Sequence, residues 1–405
     1  MISKRNALIG AIIIVVLTTA LNITIGNVIA IRLGDKVIIS DETHEFYTNI
    51  KNKYGKLFSL NDYLMNNYYD KLDEEKLIEG GIKGMFDSIG DPYTSYMTEK
   101  EFSDLMTRTS GSYGGIGVIV TPGEDGYVTV VSPIEDTPGE RAGLRTSDRI
   151  VSVDGKAISG DKLNYAVELM KGEPGTEVKL SIKRDGVAEI IDVTIVREEI
   201  RLKTVKSQVL DDNIGYIRIS MFDEQTAGDF KKELESLEKK NIKGLILDLR
   251  NNPGGLLSQC IEIADILLGE QLIVYTEDRN GVREEERSNK ESVDYPLVLV
   301  VNEGSASASE ILAGAVKDGE AGTIVGTKTF GKGLVQQVKP LDDGTGFKYT
   351  VSQYFTPNGT YIHGSGIEPH IFVELPEELQ GKYDIEESED SQLIKAIEVM
   401  KEKLK

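Results

Sequence analysis

The stretch from Val300 to Gln337 constrains the fold more than any other part of this 405-residue chain. An apolar run, Pro296 to Val301, reads as a buried strand. A turn of small residues follows, Gly304 to Ser309, and then an apolar-periodic segment, Ile311 to Val316, reads as a helix. A serine at a strand-to-helix turn stands where a nucleophile can be exposed, with a helix N-terminus beneath it to stabilise negative charge. Three serines occupy the turn: Ser305, Ser307 and Ser309. Ser307 with Glu310 also spells S-x-x-E before an apolar run, a capping box with a purely structural use.

The same stretch ends in Gly331-Lys332-Gly333, with Gln336 four residues beyond the lysine. A serine hydroxyl needs a base to take its proton. The chain has three histidines, His44, His363 and His370, and none sits in a catalytic or metal-binding signature. A lysine serves as base if burial holds it neutral, since an apolar pocket lowers its ordinary value of about 10.4. The flanking glycines allow a tight turn that brings the Lys332 amine inward, and Gln336 is able to orient it without adding negative charge. Gln337 is adjacent, and strand alternation sends only one of the two inward. An oxyanion needs two donors. The N–H of Ala308 is one candidate. The turn Gly254-Gly255, ending the apolar strand GLILDLRNN, supplies the other.

From Arg201 onward strands and helices alternate, which favours a mostly parallel α/β sheet. A charged stretch, EDRNGVREEERSNKES, reads as a surface loop or hairpin. Asp248 and Arg250 read as braces of a strand end. Before this region, around Ser110, the chain becomes Gly-rich and β-branched. Strand-like runs, a short helical turn, the turn Asp154-Gly155, a helix from Leu163 to Met170 and two further strands follow in order. That order, with AGLRTSDRIVSVDGK and Gly115-Ile116-Gly117-Val118, resembles a PDZ domain of the bacterial protease type. The resemblance implies that Gly115 to Val118 form the loop whose N–H groups hold a peptide carboxylate, beside an edge that accepts an added strand.

Residues 35 to 108 show apolar residues at three- and four-residue spacings and read as helical, with Thr98 and Glu101 as a capping box and no evident chemistry. Lys4 and Arg5 precede an uncharged apolar stretch, Asn6 to Ile31, long enough to cross a bilayer, which takes about 20 residues. The positive-inside rule then places residues 35 to 405 outside the cell membrane, on a single uncleaved signal anchor. The net charge of −21 excludes nucleic acid as a partner, because phosphate binding needs clustered Lys and Arg. The single cysteine, Cys260, lies in an apolar helical pattern and reads as a small buried hydrophobe. No metal site and no cofactor are expected. The tail carries Leu393, Ile394, Ile397, Met400 and Leu404 on one helix face, which must bury itself against its own domain or a partner subunit.

Ser307, Lys332 and Gln336, with the segments GSASASE, GKGLVQQ, DLRNNPGG and GMFDSIGDPYTSYM, resemble the C-terminal processing peptidases, or tail-specific proteases, over most of residues 40 to 372. The resemblance implies a serine endopeptidase in which Ser307 is the nucleophile, Lys332 the base and Gln336 the residue that orients it. It also implies a PDZ domain that binds and gates substrate C-termini, a crotonase-like α/β core, and dimers formed through the terminal helices. The expected organisation is a multidomain α/β protein. It comprises a cytoplasmic tip and transmembrane anchor (1–34), a helical arm (35–110), a PDZ domain (111–198), a serine protease core (199–375) and a helical tail (376–405). Two other readings compete. A PDZ-bearing adaptor with an inactive core fits the binding segment alone. An acyl-CoA enzyme of the crotonase class fits the core alone, but leaves the PDZ segment and the export signal without a use.

Overall fold

The computed structural model describes residues 12–14, 30–33, 36–123, 125–289, 293–380, 382 and 385–405. The expected membrane anchor, residues 6 to 31, lies almost entirely outside the described residues. Among the described residues no helix is long and apolar enough to cross a membrane. The chain divides into two units, Met1–Met85 and Phe86–Lys405.

The first unit holds a hairpin, Ala30–Leu33 with Lys36–Ile39, and the long helix Asp41–Asn67, capped by Ser40. A second helix, Glu74–Asp87, runs across the boundary of the units. The 27-residue helix buries none of its residues and leaves Phe46, Tyr47, Tyr54, Leu57 and Phe58 exposed.

Residues 86 to 110 fall within the second unit. Phe86 meets Phe347 with ring centroids 5.6 Å apart. Ser95–Met97, expected to be helical, is instead a strand paired with Gly346–Phe355. The helix Glu99–Ser110 begins in the Thr98/Glu101 capping box that the sequence spells.

The core of the second unit is a six-stranded sheet. Val205–Leu210 pairs antiparallel with Ile214–Ile219. Gly244–Asp248, Leu297–Val301, Thr323–Gly326 and Ile371–Phe372 continue it in parallel. Alternation along the buried strands decides the two faces. Leu245, Leu247, Leu299 and Val301 meet the helices Thr226–Glu238, Leu257–Leu267 and Ala308–Asp318. Ile246, Val298, Val300 and Val325 meet Leu393, Ala396, Val399 and Met400 of the C-terminal helix Ser391–Lys403. Of the tail's expected stripe, Leu393 and Met400 are buried on this face and Ile397 and Leu404 pack beside them, while Ile394 stays exposed.

The charged stretch forms a hairpin, Gln271–Asp278 with Arg283–Ser288, and Gln271–Asp278 joins a second sheet with Gly346–Phe355 and Leu334–Pro340. The domain between residues 112 and 201 is a separate sheet around its own core of Val128, Ile150, Leu180 and Ile182. Its ends pair with each other, Ser112–Gly115 against Glu198–Arg201. Val118–Pro122 lies at the sheet's edge.

Candidate active site

Parallel strands carry their loops to one edge, and two of these loops build the site. After Leu297–Val301 the chain turns through Asn302 to Ser307 and enters the helix Ala308–Asp318. After Gly244–Asp248 it turns through Asn251 to Gly255. The two turns are stitched together. The Ala306 N–H and the Ser309 hydroxyl both donate to the Asn252 carbonyl, each at 3.0 Å. The Asn302 and Asn251 side chains hydrogen-bond at 2.9 Å.

The three serines separate by burial. Ser305 and Ser309 are fully buried, and their hydroxyls donate to the carbonyls of Leu249 and Asn252. Ser307 is half-buried, at the N-cap of the helix, with φ 55° and ψ −113°. A positive φ on serine is a strained conformation, held only where the surroundings fix it.

Glu310 does much of that fixing. Its carboxylate is fully buried and accepts from the N–H groups of Ser307 (2.8 Å), Gly331 (2.7 Å) and Lys332 (2.8 Å) and from the Thr329 hydroxyl (2.6 Å). The capping pattern of the sequence is therefore structural and also joins the serine turn to the lysine turn. Tyr354, 1% exposed, grips the same turn. Its phenol donates to the Lys332 carbonyl and its N–H donates to the Gly333 carbonyl at 3.1 Å. Burial pushes the phenol well above its ordinary value, so it stays protonated.

The Lys332 amine has no hydrogen bond or ion pair among the described residues, and lies 4.8 Å from the centre of the Tyr93 ring. Burial, then the Lys348 charge, hold its pKa below the ordinary lysine value, against the opposing pull of Asp91 and Glu310. Neither Asp91 nor Tyr93 was singled out from sequence: Gly90-Asp91-Pro92 marks a break in the helical arm, but nothing local shows that the loop there reaches Lys332. Gln336 is not brought to Lys332. Its amide donates to the Leu334 carbonyl at 3.2 Å, and a bulge between Val335 and Gln336 interrupts the alternation. Gln337 is exposed and accepts from the Tyr349 hydroxyl.

Of the oxyanion candidates, Gly254 has its N–H committed to the Asn252 side chain at 2.9 Å. The N–H groups of Gly255 and Ala308 make no hydrogen bond among the described residues. Gly254, at φ 98°, lies so close behind the serine that a Cβ there would stand 2.8 Å from Ser307 Cβ and 3.0 Å from the Ala308 nitrogen. In the smaller domain the Ile116 carbonyl accepts from the Gly139 N–H (2.6 Å), and the Gly117 carbonyl accepts from the Ile134 N–H and the Thr137 hydroxyl (2.9 Å each). Their own N–H groups make no hydrogen bond among the described residues, and Val118 opens the edge strand. Gly115 is paired with Glu198.

A half-exposed serine at a helix N-terminus, a half-buried lysine whose main chain is held by the same carboxylate, and an edge strand open to a peptide fit a serine-type hydrolase of peptides. Comparison with known proteins agrees. Residues 213–373 match peptidase family S41, residues 114–195 match the PDZ domain, and residues 33–101 match the N-terminal domain of the activating protease CtpB. The chain is 42% identical over 327 residues to the carboxy-terminal processing protease CtpA of Bacillus subtilis, covering 80% of this chain and 70% of that one. It is 42% identical over 349 residues to the carboxy-terminal-processing protease of Bartonella bacilliformis, covering 83% and 80%. The crystal structure of an S41 protease from Bacteroides fragilis, 16% identical, shares the fold with a TM-score of 0.50 over 83% of this chain and 91% of that one. The chain belongs to peptidase family S41, the carboxy-terminal processing serine proteases, and carries a PDZ domain.

Proposed function

We propose that this chain is a serine endopeptidase that cuts exported proteins, with Ser307 as nucleophile and Lys332 as general base. The observation that carries the reading is the contrast among the three serines: Ser305 and Ser309 are buried and bonded, while Ser307 is half-exposed at the helix N-terminus. Ser307 Oγ attacks the scissile carbonyl as the Lys332 amine takes its proton. This transfer needs the amine within about 3 Å of the hydroxyl in the substrate complex. The N–H groups of Gly255 and Ala308 receive the oxyanion, and the helix N-terminus adds its partial positive charge. Gly254 keeps the wall behind the serine thin. The ammonium then returns its proton to the leaving amine, and water releases the acyl group by the reverse path. Gln336 orients the amine after rotating away from the Leu334 carbonyl. The core is of the crotonase type in this reading, supported by its parallel strands and alternating helices.

The PDZ domain supplies substrate. The turn Gly115 to Val118 offers the N–H groups of Ile116 and Gly117 to a C-terminal carboxylate, and Val118–Pro122 adds the peptide as a strand. When unoccupied, the domain restrains cleavage. The names of the relatives support C-terminal segments as substrates. The uncharged stretch 6 to 31 anchors the chain in the cell membrane with the protease outside, and two copies pair through the exposed aromatic side chains of the helix Asp41–Asn67.

The test is cleavage of a peptide library with free or amidated C-termini. Ser307→Ala and Lys332→Ala are expected to abolish cleavage in folded protein. Wild-type turnover by either variant sinks the assignment. Tight peptide binding by the wild-type protein with no turnover favours the adaptor reading instead. Removal of residues 112 to 197 separates gating, which leaves constitutive activity, from delivery, which leaves none.

A further inference from the structure

The Lys332 amine has one neighbour for which the mechanism above gives no use, the ring of Tyr93. The amine lies over the ring, 4.8 Å from its centroid. Tyr93 belongs to the loop before Ser95–Met97, far from Lys332 in sequence, and that loop is firmly held. Asp91 accepts from the Tyr93 N–H (2.9 Å) and from the hydroxyls of Thr94 and Thr350 (2.6 Å each). The Thr350 N–H closes the set by donating to the Thr94 hydroxyl at 3.1 Å. Thr350 lies on Gly346–Phe355, the strand that also carries Tyr354, whose phenol holds the Lys332 carbonyl. One strand thus fixes both the lysine's main chain and the loop under its amine. His363 packs edge-on against the same ring, with centroids 6.1 Å apart at 73°. The neighbouring Gly364 N–H donates to the Gly331 carbonyl at 2.9 Å.

Glu310 acts on the amine from the helix Ala308–Asp318, Lys348 from the strand Gly346–Phe355 and Asp91 from the loop, while the Tyr93 ring lies under it. His363, from the turn beyond the second sheet, packs on that ring and acts on Asp91. An aromatic face attracts an ammonium and has no such attraction for a neutral amine. Asp91, which anchors that face, acts on the amine in the same direction.

We propose that Tyr93, set in place by Asp91, is a positioning residue for the Lys332 amine: its ring is the seat that receives the ammonium after the amine takes the serine proton. The inference rests on Lys332 being the general base. A seat that favours the ammonium helps the proton leave Ser307 and limits how far burial makes the lysine a weak base.

The experiment measures kcat and KM for a peptide substrate, and labelling of Ser307 by a fluorophosphonate, as functions of pH. The proteins are wild type, Tyr93→Leu, Tyr93→Phe, Asp91→Asn and Lys332→Ala. Tyr93→Leu is expected to lower kcat about tenfold with KM within about twofold of wild type, and to move the acid limb of the profile to lower pH. One pH unit below the wild-type midpoint, the retained share of the plateau rate rises roughly threefold. Asp91→Asn moves the limb the same way, and Tyr93→Phe restores it. Tyr93→Met, which keeps apolar bulk without a ring face, replaces the leucine variant if that protein does not fold. An acid limb and kcat unchanged in the folded ring-less variant overturn the inference while leaving the base assignment intact. Activity in Lys332→Ala overturns the base assignment itself, and the inference with it.

Discussion

The amide nitrogens of Ser307 and Lys332 lie 2.8 Å from the same atom, Glu310 Oε2. A single buried carboxylate therefore sets the spacing of the proposed nucleophile and the proposed base through their main chains. It is stabilised by four donors, an arrangement that offsets the cost of burying an ionised group.

Glu310→Gln tests that clamp. Glutamine has one oxygen for two pairs of donors, so its NH₂ must face two N–H or O–H groups. Each buried donor left unmatched costs about 1–3 kcal/mol. The expected outcome is a loss of about 2–4 kcal/mol in denaturant unfolding and at least a hundredfold drop in kcat/KM, with Ser307 and Lys332 both present. A variant of wild-type stability and activity would show that the two turns hold their spacing without it.

The rate should rise with pH until Lys332 is neutral. Burial is the main cause of its lowered pKa, and the Lys348 charge the next. Lys348→Met removes a like charge, so the ammonium becomes easier to keep and the acid limb moves to higher pH. On that limb, kcat/KM relative to its plateau is expected to fall about twofold to threefold. This is opposite in sign to the effect expected for loss of Asp91, and the pair of profiles checks both.

Arg250 lies buried between Asp248 and Asp390, at 2.6 and 2.8 Å. Burial alone would raise the Asp248 carboxyl, but the charge and hydrogen bonds of Arg250 outweigh it and hold the pKa below the ordinary value. The stability from this depression is fully present above the ordinary carboxylate value near 4 and is lost as pH falls through Asp248's own lower value. Arg250→Leu strands two buried carboxylates and is expected to cost about 3–5 kcal/mol at neutral pH. The gap from wild type should narrow below about pH 4, where protonation removes the stranded charges. Urea unfolding at pH 7 and pH 3.5 measures it.

Cys260 is fully buried, its thiol donates to the Ala308 carbonyl, and burial pushes it up to about 12. Iodoacetamide at pH 8 is expected to leave the native protein unlabelled and to modify it completely in denaturant. Native labelling at the rate of a free thiol would show that the helix behind Ser307 opens.

The local parts of this site were legible in the sequence, because small residues and glycines mark turns by their own conformational demands. Ser307 and Lys332 both stand in such turns. Burial was not legible: the three serines stand in one small-residue turn, and what covers Ser305 and Ser309 but not Ser307 is set by tertiary packing. Gln336 could not be placed, since the bulge at Val335 shifts strand alternation by one residue. Asp91, Tyr93 and Tyr354 reach the lysine from strands and loops that only tertiary pairing brings together. The apolar stripe of the tail was plain, but whether it met its own sheet or another subunit depended on an uncovered sheet face that no local pattern reveals.

That docked tail has a further consequence. Leu393, Ala396, Val399 and Met400 are core residues, packed on the reverse of the strands that lead into the turns at Asn251 and Asn302. One helix therefore backs both turns at once, and loosening it would be felt at Ser307 and Gly255 together, although it touches neither.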